Sequence, residues 1–440
     1  MKNTRHELFL FSFYDVTGMA RHLEKMAAKG WMLQAITPFG LRYRRIEPKA
    51  LRFTACYYPP ASTFDPEPGE GQLTLQDFCA WSGWELATSQ GQLQIFYTDR
   101  PNATPIQTDP AIELRLIRQA GKKVLPGHLL LLLLGLLNMG MNLWNLFAQP
   151  LFWLSSAASL FGLVCWASLL IYLTADLGCY FFWLRRAEKA AEQGVFLPTR
   201  GCGRLQRVML GAVALAGVYW LCTEQLPGMR QLVLVYLAGF ALLLAAVNGV
   251  KGLLRRKKVS ARRNLALTLA ADVMLALVLT GAMGWGILRA VQSGQLSAWQ
   301  LDTTPPLTVA QLTGQSDEGY IFQFQQQSSL FLSRRVYAQQ SDFDQMTQLP
   351  WMEYTLFDTD FPSIRQLCLD ELFAAAADYG QFQPMDASLW QADAAWQLWE
   401  EYEAQNVYII AWPGRVVRLE TDWLLTDQQM VLAGRQLGQT

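Results

Sequence analysis

The stretch HLLLLLLGLLNMGMNLWNLFA, residues 128–148, decides the fold class. It holds six consecutive leucines, Leu129 to Leu134, and no Asp, Glu, Lys or Arg. Crossing roughly 30 Å of hydrocarbon takes roughly 20 apolar residues in a helix, and this stretch meets that length. Outward from it, four more stretches meet or approach the same standard. The expected spans are about 127–148, 151–174, 208–222, 232–250 and 265–288, the third being the shortest. The fold class is therefore a membrane protein, an α-helical bundle of about five transmembrane helices, flanked by two small α+β soluble domains. The expected organisation is a domain over 1–108, a juxtamembrane helix over 109–125, a transmembrane domain over 126–290 and an acidic domain over 291–440. The first 25 residues lack the apolar core and cleavage site of a signal peptide.

Basic residues alternate between the loops. Arg115, Arg118, Lys122 and Lys123 precede the first span. Arg185, Arg186, Lys189, Arg200, Arg204 and Arg207 follow the second, and Lys251, Arg255, Arg256, Lys257, Lys258, Arg262 and Arg263 follow the fourth. The loop at Gln149-Pro150 has none, and Cys222 to Gln231 has only Arg230. Basic loops stay in the cytoplasm, so the expected placement has the N-terminus inside and the last domain outside. Net charge differs to match. Residues 1–125 carry 15 Lys/Arg against 12 Asp/Glu, a net +3, whereas 290–440 carry 6 Arg, no Lys and 19 Asp/Glu, a net −13. An exported surface that avoids anionic lipid suits the second value.

Within the first domain, Val16, Met19, Leu23 and Met26 recur at helical spacing, Gly30 sits where a left-handed cap ends a helix, and strands are expected at 31–36, 41–46 and 51–57. The order recurs: a helix over 74–82, Gly83, then strands at 84–88 and 92–97. Gly30-Trp31 and Gly83-Trp84 hold matching places, pointing to a degenerate helix–Gly-Trp–hairpin repeat. Each tryptophan is either a ligand platform or an anchor for the sheet beneath its helix. Asp109, Pro110 and Glu113 open a further helix, with Arg115, Arg118, Lys122 and Lys123 placed to contact anionic lipid headgroups.

The run Phe13-Tyr14-Asp15, then Leu23-Glu24, Met26-Ala27, Gly30-Trp31, Gly83-Trp84-Glu85, Ile95-Phe96 and Pro105-Ile106 with Thr108-Asp109 resembles the bacterial membrane proteins grouped as domain-of-unknown-function family 2812. The resemblance covers roughly residues 8–190 and departs at Gln107, where an aromatic is expected. It implies a location in a bacterial cytoplasmic membrane, neighbouring PadR-like transcriptional regulators and a role in envelope stress, and it supplies no catalytic residue.

The last domain is expected to form a hairpin over 320–337, a strand over 351–357, a helix opened by Asp360-Phe361-Pro362, a helix over 387–403, a hairpin about Pro413-Gly414 and a final helix with a capping box from Thr426 to Gln429. The three histidines, His6, His22 and His128, all lie outside it. With no Lys either, it holds no Ser-His-Asp triad and no Ser-Lys dyad of its own. No HExxH, GxSxG, Walker A or GxGxxG occurs in the chain, so no enzymatic activity, cofactor, metal or nucleic-acid partner is expected. Asp342/Asp344 and Asp358/Asp360 do not continue into a calcium loop. In the spans, Asn138, Asn142 and Asn145 share a face, either as interhelical glue or as the lining of a polar path. Asp272 lies about two turns inside the fifth span, where an ionisable group calls for a function or a partner such as Arg262 or Arg263. Ala241, Ala245 and Gly249 form a small-residue seam. The leading functional expectation is a sensor or regulatory protein with the bilayer and a regulatory or membrane protein as partners. The alternatives are a small transporter or channel using Asp272 and the asparagine face, and a membrane assembly scaffold.

The charge alternation predicts that alkaline phosphatase fused after Thr440 is active and that a cytoplasm-only fluorescent protein fused there stays dark. The reverse pattern would mean an even number of crossings.

Overall fold

A computed structural model describes residues 3–8, 11–37, 40–223, 229–293, 300–301, 305–341, 349–377 and 379–439. Five of its helices are long and apolar enough to cross a membrane: α3 (Pro110–Ala148), α5 (Ala157–Glu192), α6 (Gly203–Thr223), α7 (Met229–Arg256) and α8 (Ala261–Gln292). In their apolar windows only 0 to 17% of residues are buried by protein, so lipid is the environment that their leucines require. The expected juxtamembrane helix is no separate element: it runs into the first span as one helix that passes through Pro126. The second expected span, by contrast, is broken. The short helix α4 (Pro150–Ser155) ends at Ser156, whose extended backbone and Oγ start α5 by accepting from Ser159 N–H at 3.2 Å. A serine in this position competes for backbone hydrogen bonds and so restarts the helix.

The chain divides into two compact units. The first comprises Met1–Leu137, Trp166–Val213 and Tyr236–Met283. It contains β1 (Thr4–Glu7), α1 (Val16–Ala28), β2 (Trp31–Thr37), β3 (Gly40–Arg45), β4 (Arg52–Tyr57), α2 (Glu70–Trp81), β5 (Glu85–Gln90) and β6 (Leu93–Thr98). The strands make two three-stranded antiparallel sheets, ordered β1-β3-β2 and β4-β6-β5. The repeat is present in the backbone: each helix ends at a glycine with φ +82°, followed by Trp and a hairpin. The two tryptophans differ. Trp84 is buried and donates to Thr104 O at 2.8 Å, an anchor, whereas Trp31 is half-buried with the Arg5 and Arg45 guanidiniums 6.0 and 5.7 Å from its ring.

Helix α1 places Val16, Met19, Leu23, Met26 and Ala27 in a core shared with Tyr14, Leu33, Leu41, Phe53 and Ile95. Leu114 and Ile117 of α3 and Tyr180, Trp183 and Leu184 of α5 belong to the same core. Each fully buried large side chain contributes about 1.5–3 kcal/mol, more than a cap supplies, so packing on α3 and α5 holds α1 in place. The Tyr14 ring stacks on Trp183 at 5.8 Å, and Phe13 lies 4.9 Å from Tyr180. Gly121 of α3 keeps this approach open, since a Cβ there would meet Tyr180 Oη at 2.9 Å.

The second unit comprises Asn138–Cys165, Ala214–Val235 and Gly284–Thr440. Its eight-stranded antiparallel sheet has the order β11-β12-β13-β14-β10-β9-β8-β7, made from β7 (Gln300–Leu301), β8 (Tyr320–Ser328), β9 (Ser333–Ser341), β10 (Met352–Asp358), β11 (Gln381–Met385), β12 (Ala394–Glu400), β13 (Glu403–Trp412) and β14 (Arg415–Thr421). Alternate residues face opposite sides of such a sheet. Met352, Tyr354, Leu356, Tyr408, Ile410, Val417 and Leu419 meet Met430, Ala433 and Leu437 of α11 (Asp427–Gln439) and Leu312 of α9 (Val309–Thr313). Phe357, Ile409, Ala411 and Val416 meet Cys368 and Leu369 of α10 (Pro362–Ala375) and Leu151, Trp153 and Leu154 of α4. The expected capping box forms: Thr426 N–H donates to Gln429 Oε1 at 2.9 Å, and Gln429 N–H donates to Thr426 Oγ1 at 3.4 Å.

The helix expected over 387–403 is absent. Asp386 caps a single 3-10 turn, Ala387–Trp390, which Gln391 ends at φ +51°. Residues 394–400 then form β12, hydrogen-bonded to β11 and β13. The run Ala-Ala-Trp-Gln-Leu-Trp tolerates either backbone, and two waiting strand edges decide it. Asp342 and Asp344 lie outside the described residues, as do Pro38 and Phe39 between the strands expected at 31–36 and 41–46. Asp358 is held between Arg335 Nη2 at 2.5 Å and Arg415 Nε at 2.6 Å.

The two repeat glycines are predicted to differ in sensitivity. A Cβ on Gly30 would meet Ile46 O at 2.8 Å, whereas on Gly83 it meets the movable Arg100 side chain. Both changes to Ala incur the left-handed penalty of about 1–2 kcal/mol. Gly30→Ala is expected to lower the thermal unfolding midpoint further than Gly83→Ala; equal shifts would contradict the backbone clash.

Candidate functional site

The sequence Ser12-Phe13-Tyr14-Asp15 sits just before α1, where a carboxylate can cap the helix. Asp15 does so, accepting from Gly18 N–H at 3.0 Å. Its carboxylate also accepts from Thr199 Oγ1 at 3.2 Å, from the segment that joins α5 to α6. Thr199 Oγ1 accepts from Thr17 N–H at 2.9 Å, and Thr199 N–H donates to Thr17 Oγ1 at 3.1 Å. Ser12 Oγ donates to Asp176 of α5 and accepts from Cys202 N–H at 3.1 Å. Thr199 and Asp176 are 0% and 1% exposed, so each hydrogen bond replaces water that has been removed. Gly201 admits this approach: a Cβ there would meet Ser12 Oγ at 2.6 Å and Asp15 Oδ2 at 2.9 Å. The result is a buried polar clamp joining the entry of α1, the middle of α5 and the lead-in to α6.

A second polar contact lies in the same unit. The loop between β4 and α2 offers carbonyls, and α3, α7 and α8 supply donors. Lys123 Nζ reaches Pro59 O at 2.7 Å, Arg255 Nε reaches Asp65 O at 2.9 Å and Asn264 Nδ2 reaches Phe64 O at 3.0 Å. Lys258 Nζ pairs with Glu67 at 2.7 Å. Asn264 is fully buried, and its Oδ1 accepts from Thr268 Oγ1 at 3.1 Å. Several of the basic residues that mark the loops thus serve as specific hydrogen-bond donors.

The residues singled out from sequence are placed as follows. Asn142 Nδ2 donates to Asn138 O of its own helix at 2.9 Å, Asn138 and Asn142 are half-buried, and Asn145 is exposed. Among the described residues no side-chain hydrogen bond ties these three to another helix. Asp272 is half-buried in α8 and forms no ion pair with Arg262 or Arg263. Arg118 pairs with Glu188 at 2.9 Å and Lys123 is engaged as above, while Arg115 and Lys122 are exposed. The seam at Ala241, Ala245 and Gly249 faces no helix: all three are exposed, and a Cβ on Gly249 would meet nothing within 4 Å. Close packing occurs instead at Gly239, against Leu279 of α8, and at Gly135, against Leu170 of α5. The clamp escaped the sequence reading because its members lie more than 160 positions apart; the available signals were Asp15 before a helical pattern and Asp176 inside an apolar one.

The fold defines a class, a multi-pass protein whose five apolar helices fit a lipid bilayer. Compared with known proteins, the chain matches no family model, no curated protein and no solved structure.

Leaving a buried donor unsatisfied costs about 1–3 kcal/mol. Thr199→Val strands the Thr17 N–H and is expected to destabilise the first unit by about that amount. Thr199→Ser, which keeps the hydroxyl, should recover most of the loss in detergent-solubilised protein. A wild-type unfolding midpoint for Thr199→Val would remove the clamp from the account.

Proposed function

We propose that this chain is a sensor or regulatory membrane protein that couples its C-terminal sheet domain to its N-terminal domain. The observation that carries this reading is that each domain is bonded specifically to a membrane helix or to the segment beside one. In the first unit, the clamp holds α1 to Asp176 of α5. In the second, α4, which immediately precedes α5, has Leu151 N–H donating to Glu371 Oε2 at 2.7 Å and Leu154 O accepting from Ser329 Oγ at 2.5 Å. Burial raises the Glu371 carboxyl above its ordinary range, and the Leu151 N–H partly offsets this. A state of the sheet domain that repositions α4 therefore has a covalent route into α5, the helix that carries Asp176.

The charge alternation supports an N-terminal domain in the cytoplasm and a sheet domain outside. The resemblance to family 2812 supports a bacterial cytoplasmic membrane. Transport is the competing reading: Asp272 is an ionisable group within a span and has no ion-pair partner among the described residues.

Hydrogen exchange in nanodiscs tests the coupling. Glu371→Ala, which removes the acceptor for α4, is expected to raise exchange in residues 11–29 and 197–203 of the intact chain, while Asp272→Asn leaves these segments at the wild-type rate. Unchanged exchange in Glu371→Ala, together with unchanged exchange after removal of residues 294–440, would sink the coupling. Loss of solute flux into vesicles in Asp272→Asn would install the transporter.

A further inference from the structure

Four arginines converge where α1 faces the lead-in to α6. A cavity of about 630 Å³ is lined by Arg21, Arg200, Gly201, Cys202, Arg204 and Leu205. Half of these residues are arginines and none is acidic. A neighbouring cavity of about 430 Å³ shares Gly201 and Arg204 and adds Arg207. The acids in that second lining are already engaged: Asp15 by Gly18 N–H and Thr199, and Glu7 by His22 at 3.2 Å. No ion pair is formed by any of the four arginines among the described residues. Arg21 and Arg207 each direct only Nε, to the carbonyl four residues earlier, at 3.3 and 3.2 Å, which leaves the Nη groups free. All four arginines are exposed; Asp15 and Glu7 supply counter-charge in the second lining, so the cationic excess lies at the first cavity, where a bound anion relieves the repulsion among Arg21, Arg200 and Arg204.

The site is built into the backbone. The clamp fixes Thr199 and Cys202 on either side of Arg200 and Gly201, so Arg200 projects from a segment held at both ends by part-buried hydrogen bonds. Arg204 and Arg207 lie in the first two turns of the 21-residue helix α6. Immediately beyond them, Val208 and Leu210 are 62% and 46% exposed, an apolar strip beside a cationic mouth. Planar guanidinium forks match phosphate oxygens in pairs.

We propose that Arg21, Arg200, Arg204 and Arg207 form a binding site for a phosphate ester of net negative charge, the natural source being an anionic phospholipid headgroup whose acyl chains lie along α6. The site stands whether or not the chain is a sensor, because it depends only on these residues and on α6 entering a bilayer. It also differs from the face at Arg115, Arg118, Lys122 and Lys123, where two of the four side chains already bond to protein.

The test is lipid binding by the full chain in detergent, read by native mass spectrometry with phosphatidylglycerol or phosphatidylcholine. Each arginine near a headgroup accounts for about fivefold in affinity. The variant Arg21→Gln/Arg200→Gln/Arg204→Gln is therefore expected to bind phosphatidylglycerol about a hundredfold more weakly, and Arg435→Gln, an exposed arginine of α11, should stay within about threefold of wild type. Inorganic phosphate and glycerol phosphate form the second arm. Competition by them at equal concentration assigns the site to a soluble phosphate, and its absence assigns it to the headgroup; both keep the phosphate site. Equal binding by the triple variant, or equal affinity for the two lipids, overturns it. Should the triple variant fail to fold, labelling of wild-type Arg200 and Arg204 by phenylglyoxal gives the answer: phosphatidylglycerol is expected to slow it relative to phosphatidylcholine, and identical rates would overturn the site.

Discussion

A backbone amide inside hydrocarbon has no water to bond to, and each unmet group costs several kcal/mol. That constraint shapes the whole chain. It makes α3, α5, α6, α7 and α8 helical throughout their apolar stretches, and it holds α3 continuous past Pro126. Charged side chains outside the apolar stretches serve this protein as donors to a loop. Lys123, Arg255 and Lys258 are long, flexible and charged, so they reach the Pro59–Glu67 segment.

The two sheet-bearing portions solve the same problem of covering a sheet in different ways. In the second unit the eight-stranded sheet is covered on one face by α9 and α11 and on the other by α10 and α4. One of the four covers is therefore a helix from between two membrane spans. In the first unit the sheets and α1 share their core with α3 and α5. The buried tyrosine and tryptophan rings there fill volume, and the polar clamp beside them supplies direction. An apolar contact tolerates sliding, whereas Asp15, Thr17, Thr199, Ser12 and Asp176 must meet in one arrangement or leave buried polar atoms unpaired.

Most of the architecture was legible in residue order. The spans, the repeat of helix, Gly-Trp and hairpin, the strand at Trp351, the hairpin about Pro413-Gly414 and the Thr426 capping box all follow from periodicity and turn chemistry. Two errors are local. Ser156 interrupts the second span because a hydroxyl at a helix start offers a better partner than the next carbonyl. Residues 394–400 pair as a strand because their apolar content suits either geometry and neighbouring strands offered hydrogen bonds.

Hydropathy and charge act over short windows, so residue order alone establishes how many segments favour lipid, where basic loops fall and that the HExxH, GxSxG, Walker A and GxGxxG motifs do not occur in it. Side chains distant in sequence meet through packing, and no window spans the 182 positions between Thr17 and Thr199 or the 164 between Ser12 and Asp176. The clamp, the attachment of α4 to Glu371 and the convergence of Arg21 with Arg200, Arg204 and Arg207 belong to that second category. The first two join polar groups whose pairing is worth having only after the surrounding apolar surfaces have excluded water, and the third gathers exposed like charges from two helices and the segment between α5 and α6.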